Sequence, residues 1–199
     1  MTINYFAFLS FVFVTTFTPG PNNISSASMG VLYGFRKTWN YRLGIATGFV
    51  FVMLLCGAIS TTLQSVFPAF ETALHYIGAA YILWLAYETL RTSYTFEEGD
   101  QTLMGFTRGL LLQVLNPKVI IYGLALYSTF LLSVTDNLFY TIISAIFLAA
   151  VALSSTSVWA LFGSAIRNYL KNPKVRQFVN LALALLLVYT AVELSGILA

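Results

Sequence analysis

Apolar residues run along this chain in six long stretches, roughly 5–34, 43–67, 70–90, 105–132, 138–166 and 178–198, separated by short polar connections. A helix needs about 20 residues to cross the hydrocarbon core, so the pattern predicts an all-α integral membrane protein with six transmembrane helices, folded as a single membrane domain over residues 1–199. Two of the stretches are interrupted. The first carries Thr18-Pro19-Gly20-Pro21-Asn22-Asn23, and the fourth carries Leu115-Asn116-Pro117-Lys118. Backbone polar groups in hydrocarbon need partners, so helices 1 and 4, broken at Pro-containing motifs, are expected to line a cavity rather than lipid.

Because the broken helices are the first and fourth, the chain divides into three plus three spans, repeat 1 over about 1–95 and repeat 2 over about 100–199. Three is odd, so the second triplet crosses the membrane in the opposite sense to the first: an inverted repeat with a site at its midplane interface. Charge supports the count. Arg36, Lys37 and Arg42 follow the first span, Arg91 and Arg108 flank the third connection, and Arg167, Lys171, Lys174 and Arg176 fill the fifth, whereas the alternate connections 64–69 and 133–137 carry no Lys or Arg. By the positive-inside rule the basic connections face the cytoplasm and both termini face outward, N-out/C-out. The small-residue pairs Gly30/Gly34, Gly44/Gly48 and Gly105/Gly109 have the spacing that lets helix backbones approach closely. Trp39, Tyr41, Tyr76 and Tyr169 are expected near the membrane interfaces, and Trp84 and Trp159 in packed positions.

Composition fits this picture. Of 199 residues, 58% are hydrophobic and 9% charged, and the mean hydropathy is +0.81, leaving no room for a separate soluble domain. Met1 to Asn4 carry no Lys or Arg and no cleavage pattern follows, so the first span is expected to be retained. A net charge of +3 suggests nucleic acid in a soluble protein, but these cations sit in loops and read as topology signals, so no nucleic-acid partner is expected. Cys56 and His75 are the only residues of their types. An intramolecular disulfide, a cysteine cluster and a multi-histidine metal site are thereby excluded, and no cofactor is expected.

The breaks supply the candidate chemistry. Pro19, Pro21 and Pro117 lack an N–H, so the carbonyls of Thr15, Phe17 and Gln113 lose their helical partners and are expected to be available to an ammonium group. Gly20 followed by Pro21 suits a helix restart, with the N–H groups near Asn22 and Asn23 as donors for a carboxylate. Together these match the two poles of an amino-acid zwitterion. Lys118 lies about halfway along its apolar stretch, where a lysine costs roughly 2.5–3.5 kcal/mol on insertion scales. It either meets a substrate carboxylate or sets the charge state of the site, or else it snorkels or caps carbonyls freed beside Pro117. Thr15, Thr16 and Thr18 offer hydroxyls either to the cavity or to their own helix. For proton coupling, Glu71 and His75 one turn apart form either a relay or an interfacial ion pair. Glu193, one turn from Tyr189 in apolar surroundings, is a second candidate.

The Pro19-Gly20-Pro21-Asn22 and Asn116-Pro117-Lys118 motifs resemble those that mark the LysE/RhtB family of bacterial inner-membrane amino-acid exporters. The likeness extends through Tyr33-Gly34-Phe35-Arg36, Ala79-Ala80-Tyr81 and Trp84-Leu85. Within the family the chain looks most like the branch exporting cysteine and O-acetylserine, on Val52-Met53-Leu54-Leu55-Cys56, Tyr122-Gly123, Ser128-Thr129-Phe130 and 183–189. The resemblance implies export of a small amino acid driven by protons, with a homodimer as an expected assembly in the lipid bilayer. The candidate substrate site at the two breaks comprises Thr18, Pro19, Gly20, Pro21, Asn22, Asn23, Asn116, Pro117 and Lys118. Alternatives are another exporter of the family, of homoserine/threonine, leucine or lysine type, and a non-transporting scaffold or channel. An intramembrane enzyme needs convergent acids, bases or metal ligands, and the sequence clusters none.

Overall fold

The computed structural model describes residues 5–63, 105–169 and 172–195, together with Ala80, Leu83, Trp84, Ala86, Tyr87 and Leu90. All elements among the described residues are helical: α1 (Tyr5–Phe17), α2 (Pro21–Tyr33), α3 (Trp39–Leu63), α4 (Phe106–Val114), α5 (Pro117–Thr129), α6 (Leu132–Thr135), α7 (Leu138–Ile166) and α8 (Pro173–Ser195). By length and composition α3 over Trp39–Ser60 and α7 can each cross a membrane, and α4 with α5 make a third candidate bent by 60° at the break. Most of the third predicted span lies outside the described residues.

Helix ends follow local chemistry. The fifth predicted span coincides with α7, whose first turn is capped by Asn137 Oδ1 accepting from the Phe139 N–H at 2.9 Å. The sixth begins at Pro173 rather than 178, because Pro at the first helical position and Asn172 Oδ1, which accepts from Lys174 N–H at 3.0 Å, start a helix whose first turn is too basic to read as apolar. Gly34, with φ of 82°, ends α2 in a backbone region that other residues rarely adopt.

Glycines set the closest helix crossings. A Cβ on Gly30 of α2 would strike the carbonyl of Ala160 on α7, and one on Gly163 of α7 would strike the carbonyl of Ala27 on α2. The same reciprocal contact joins α3 to α4, with Gly44 against Phe106 and Gly109 against Tyr41. Of the spaced pairs in the sequence, Gly30, Gly44, Gly48 and Gly109 sit in such crossings; Gly34 serves a turn and Gly105 caps α4. Without a hydrophobic drive between helices in lipid, such backbone approach holds them by dispersion.

Among the described residues each broken helix packs on an unbroken one from the other half of the sequence: α2 on α7, and α4 with α5 on α3. Between the broken helices the register is antiparallel. Phe8 and Phe11 meet Phe130, Phe11 stacks on Tyr122, Pro19 meets Lys118, and Asn22 meets Gln113 and Asn116. Helices α2 and α5 are each 13 residues long and each begin on a proline. The main buried core draws on α1, α3, α5 and α7 together, around Val12, Phe49, Met53, Val119, Leu126 and Leu148.

Tyr41 is buried, its hydroxyl donating to Ser25 Oγ at 3.0 Å, and Trp84, expected in a packed position, is half-exposed. Arg42, expected as a loop cation, is 1% exposed. Its guanidinium donates to Ser157 Oγ at 2.6 Å and the Phe35 carbonyl at 3.0 Å, and lies 4.1 Å from the Phe35 ring centroid. It ties the α2–α3 turn to α7 by charge-assisted and cation–π contacts.

Candidate functional site

Helix α1 stops at Phe17 because Pro19 and Pro21 withhold the N–H groups that would continue it. Five consecutive carbonyls, Thr15 to Pro19, then need other partners, and each has one, while Gly20 O accepts the first helical bond of α2. Thr18 Oγ1 donates to Thr15 O (2.9 Å); Asn23 Nδ2 donates to Thr16 O (2.8 Å) and Thr18 O (2.9 Å); Ser155 Oγ also donates to Thr16 O (2.9 Å). Trp159 Nε1 donates to Phe17 O (3.3 Å), Lys118 Nζ to Pro19 O (3.0 Å) and Ile24 N–H to Gly20 O (2.9 Å). The unwound main chain is held by side chains of α2, α5 and α7, as the cost of unpaired groups in an apolar setting demands.

The second break is tighter. Asn116 Oδ1 accepts from Lys118 N–H at 3.1 Å and caps α5, with Pro117 at the first helical position. Its main-chain N–H donates to Gln113 O at 3.2 Å, replacing the partner that Pro117 cannot supply. The expectation that the carbonyls of Thr15, Phe17 and Gln113 stand ready for an ammonium group is thus corrected: Thr18, Trp159 and Asn116 occupy them.

Side chains then join the two breaks. Asn22 Nδ2 donates to Gln113 Oε1 at 2.6 Å, Asn116 Nδ2 donates to Asn22 Oδ1 at 2.9 Å, and Lys118 Nζ reaches Thr18 Oγ1 at 3.1 Å as well as Pro19 O. Of the two readings of Lys118, the capped carbonyl is real but belongs to the opposite break, across the interface. Asn23 is held by Ser155, whose hydroxyl lies 3.0 Å from Asn23 Oδ1. A cavity with roughly 420 Å³ of space free of protein atoms, mouth included, lies beside this network. Thr18, Gly20, Pro21, Asn22, Asn23, Asn116 and Lys118 line it with Thr15 and Thr16; Pro19 and Pro117 stand behind as shapers of the backbone. Phe49, Val119 and Ala152 give it apolar walls, and among the described residues its lining includes no carboxylate.

The electrostatics are one-sided. Lys118 brings a positive charge, and the N-terminus of α2, where Gly20 offers no side-chain cap, points its first-turn donors the same way. By contrast α5 is capped by its own Asn116. The arrangement suits a carboxylate near α2. Of the proton-coupling candidates, Glu71 and His75 lie outside the described residues; Glu193 falls on α8, its side chain outside them too. Among the described residues no group of His, Cys, Asp and Glu is placed to hold a metal ion.

Ser155, Thr156, Trp159 and Tyr122 belong to the site and were not singled out from the sequence as site residues; of Gln113 the main-chain carbonyl was, but not the side chain that meets Asn22. The legible signal was the run Ser154-Ser155-Thr156-Ser157 within the otherwise apolar 138–166. Gln113, a lone polar residue between Leu110-Leu111-Leu112 and Val114-Leu115, was a second.

Comparison with known proteins agrees with the motifs. The family model described as LysE type translocator matches residues 13–196. The chain is 39% identical over 189 residues to the cysteine/O-acetylserine efflux protein of Escherichia coli O1:K1 / APEC, covering 94% of this chain and 95% of that protein. Proteins of the same name from Escherichia coli strain K12 and Shigella sonnei strain Ss046 are each 38% identical over the same shares. No solved structure matches. With the family model spanning nearly all of a chain whose two broken helices meet at one cavity, the protein belongs to the LysE family of translocators.

Proposed function

We propose that this translocator exports small neutral amino acids or their derivatives, of the cysteine and O-acetylserine kind, through the cavity where its two helix breaks meet. It is a transporter and not an enzyme, as family membership establishes. The observation that carries the site is the bridge of Asn22, Gln113, Asn116, Lys118 and Thr18 between the breaks, beside a cavity whose described lining residues include a cation and no acid. A substrate carboxylate lies against the first turn of α2 and Lys118. A dibasic substrate would leave its second charge uncompensated there, which favours a neutral amino acid over lysine.

The antiparallel register of the broken helices, and their exchange of unbroken partners between halves, support six spans as a 3+3 inverted repeat in one domain of the bacterial inner membrane. The basic loops support N-out/C-out. Rocking of one triplet against the other exposes the cavity to alternate sides, driven by protons, with Glu193 as the coupling group and a homodimer as the assembly. Counterflow of labelled substrate in proteoliposomes tests the class: a carrier exchanges substrate across the bilayer, and a scaffold moves none. Lys118→Met removes the charge and the contacts to Pro19 and Thr18. Its counterflow rate is expected to fall at least about tenfold, the effect of one charge-assisted hydrogen bond, with membrane insertion intact. An undiminished rate would remove Lys118 from the site.

A further inference from the structure

Three tyrosines are buried among the described residues, and the fold treats one of them differently. Tyr41 donates to Ser25 Oγ at 3.0 Å, and Tyr127 pairs with Ser144 Oγ at 2.9 Å. Tyr122, 5% exposed and lining the cavity, has a buried hydroxyl that makes no hydrogen bond. Thr16, on the same cavity wall, stands close to it without meeting hydrogen-bond geometry. A buried polar group left unmade is costly and rare, and the protein pairs the other two with care.

Its ring, meanwhile, is fixed. Phe11 of α1 stacks on it with centroids 5.7 Å apart and planes at 11°, and Phe49 of α3 leans on it at 6.0 Å. Such clamping orients the hydroxyl before anything binds, so little freedom is lost when a partner arrives. Val119, Ala152 and Phe49 add apolar surface to the same cavity lining.

We propose that Tyr122 is the specificity-determining residue of this cavity. Tyr122 Oη, with Thr16 beside it, hydrogen-bonds the polar atom carried on the substrate's β-carbon and so selects short hydroxyl-, thiol- or ester-bearing amino acids over apolar isosteres. The inference rests on the reading of the cavity as the substrate site. A site built to pair a polar atom rejects the analogue lacking it more strongly than an apolar pocket rejects an extra one, since its own group is then left unpaired.

The test compares counterflow of L-serine with that of L-2-aminobutyrate, in which a methyl replaces the hydroxyl, using purified full-length protein in proteoliposomes. The wild type is expected to favour serine by about tenfold or more, the effect of one well-placed hydrogen bond. Tyr122→Phe keeps the ring between Phe11 and Phe49 and deletes only the oxygen; its preference is expected to fall to within about twofold of unity, and Thr16→Val is expected to shift the preference in the same direction. A ratio that Tyr122→Phe leaves unaltered overturns the inference, as does an equal loss of both fluxes, which marks a structural role. A wild type that carries both without preference overturns it too. If the wild type carries neither compound nor O-acetylserine, the reading of the cavity itself fails.

Discussion

Gly109→Ala is expected to lower the melting temperature of the detergent-solubilised protein by roughly 2–12 °C, the effect of overpacking by about 1–3 kcal/mol in a chain of this size. The new methyl has nowhere to go. It would meet the carbonyl oxygen of Tyr41 and the main-chain nitrogen of Ile45, and neither backbone can rotate away as a side chain would. Helices α3 and α4 would have to separate, loosening Gly44 against Phe106 and Gly48 against Gln113 at the same crossing. Because Gln113 Oε1 accepts from Asn22, the displacement also reaches the first break. Ser154→Ala, at an exposed position whose hydroxyl bonds only its own helix at Ala150 O, is expected to stay within about 0.5 kcal/mol of the parent. Equal melting of the two variants would show that the crossing tolerates a side chain.

Asn116→Leu is expected to reduce counterflow by roughly 100-fold, the scale on which small misplacements of binding groups act. The residue holds two connections at once. Its Oδ1 caps α5, worth about 0.5–2 kcal/mol, and its Nδ2 donates to Asn22 Oδ1 across the interface. Losing the second leaves the Asn22 carbonyl oxygen without its partner beside the cavity. Asn116→Ser separates the roles, since serine caps well but is too short for the bridge. It is expected to recover the parent's stability and little of its transport. Recovery of both by Asn116→Ser would show that only the cap matters.

The backbone features of this site were legible because they follow from local rules. Pro19, Pro21 and Pro117 announce where hydrogen bonds stop, and a lysine in mid-span stands out by cost. The run 138–166 reads as one helix because nothing in it breaks. What periodicity does not carry is the identity of distant partners. That Trp159 serves Phe17, Ser155 serves Thr16 and Lys118 serves Pro19 depends on pairings across most of the chain, and local pattern has no term for these. The carbonyls expected to await a ligand were misread for that reason: the loss of a helical partner was visible, its replacement was not. Arg42 was misjudged likewise, since a cation at a helix end looks solvated until Phe35 and Ser157 fold around it.

The central claim is that residues from both halves line one water-filled substrate cavity. Cys56 is buried and is the only cysteine, so a Cys56→Ser background permits single reporters. Thr16→Cys from the first half and Val119→Cys from the second are placed in the cavity wall, and Phe13→Cys on the exposed face of α1 serves as control. The measurement is the rate of modification by a small water-soluble thiol reagent with and without saturating O-acetylserine. Both cavity positions are expected to react and to be slowed by the same substrate, with Phe13→Cys indifferent to it. Protection of neither position, or of only one, would contradict a shared cavity.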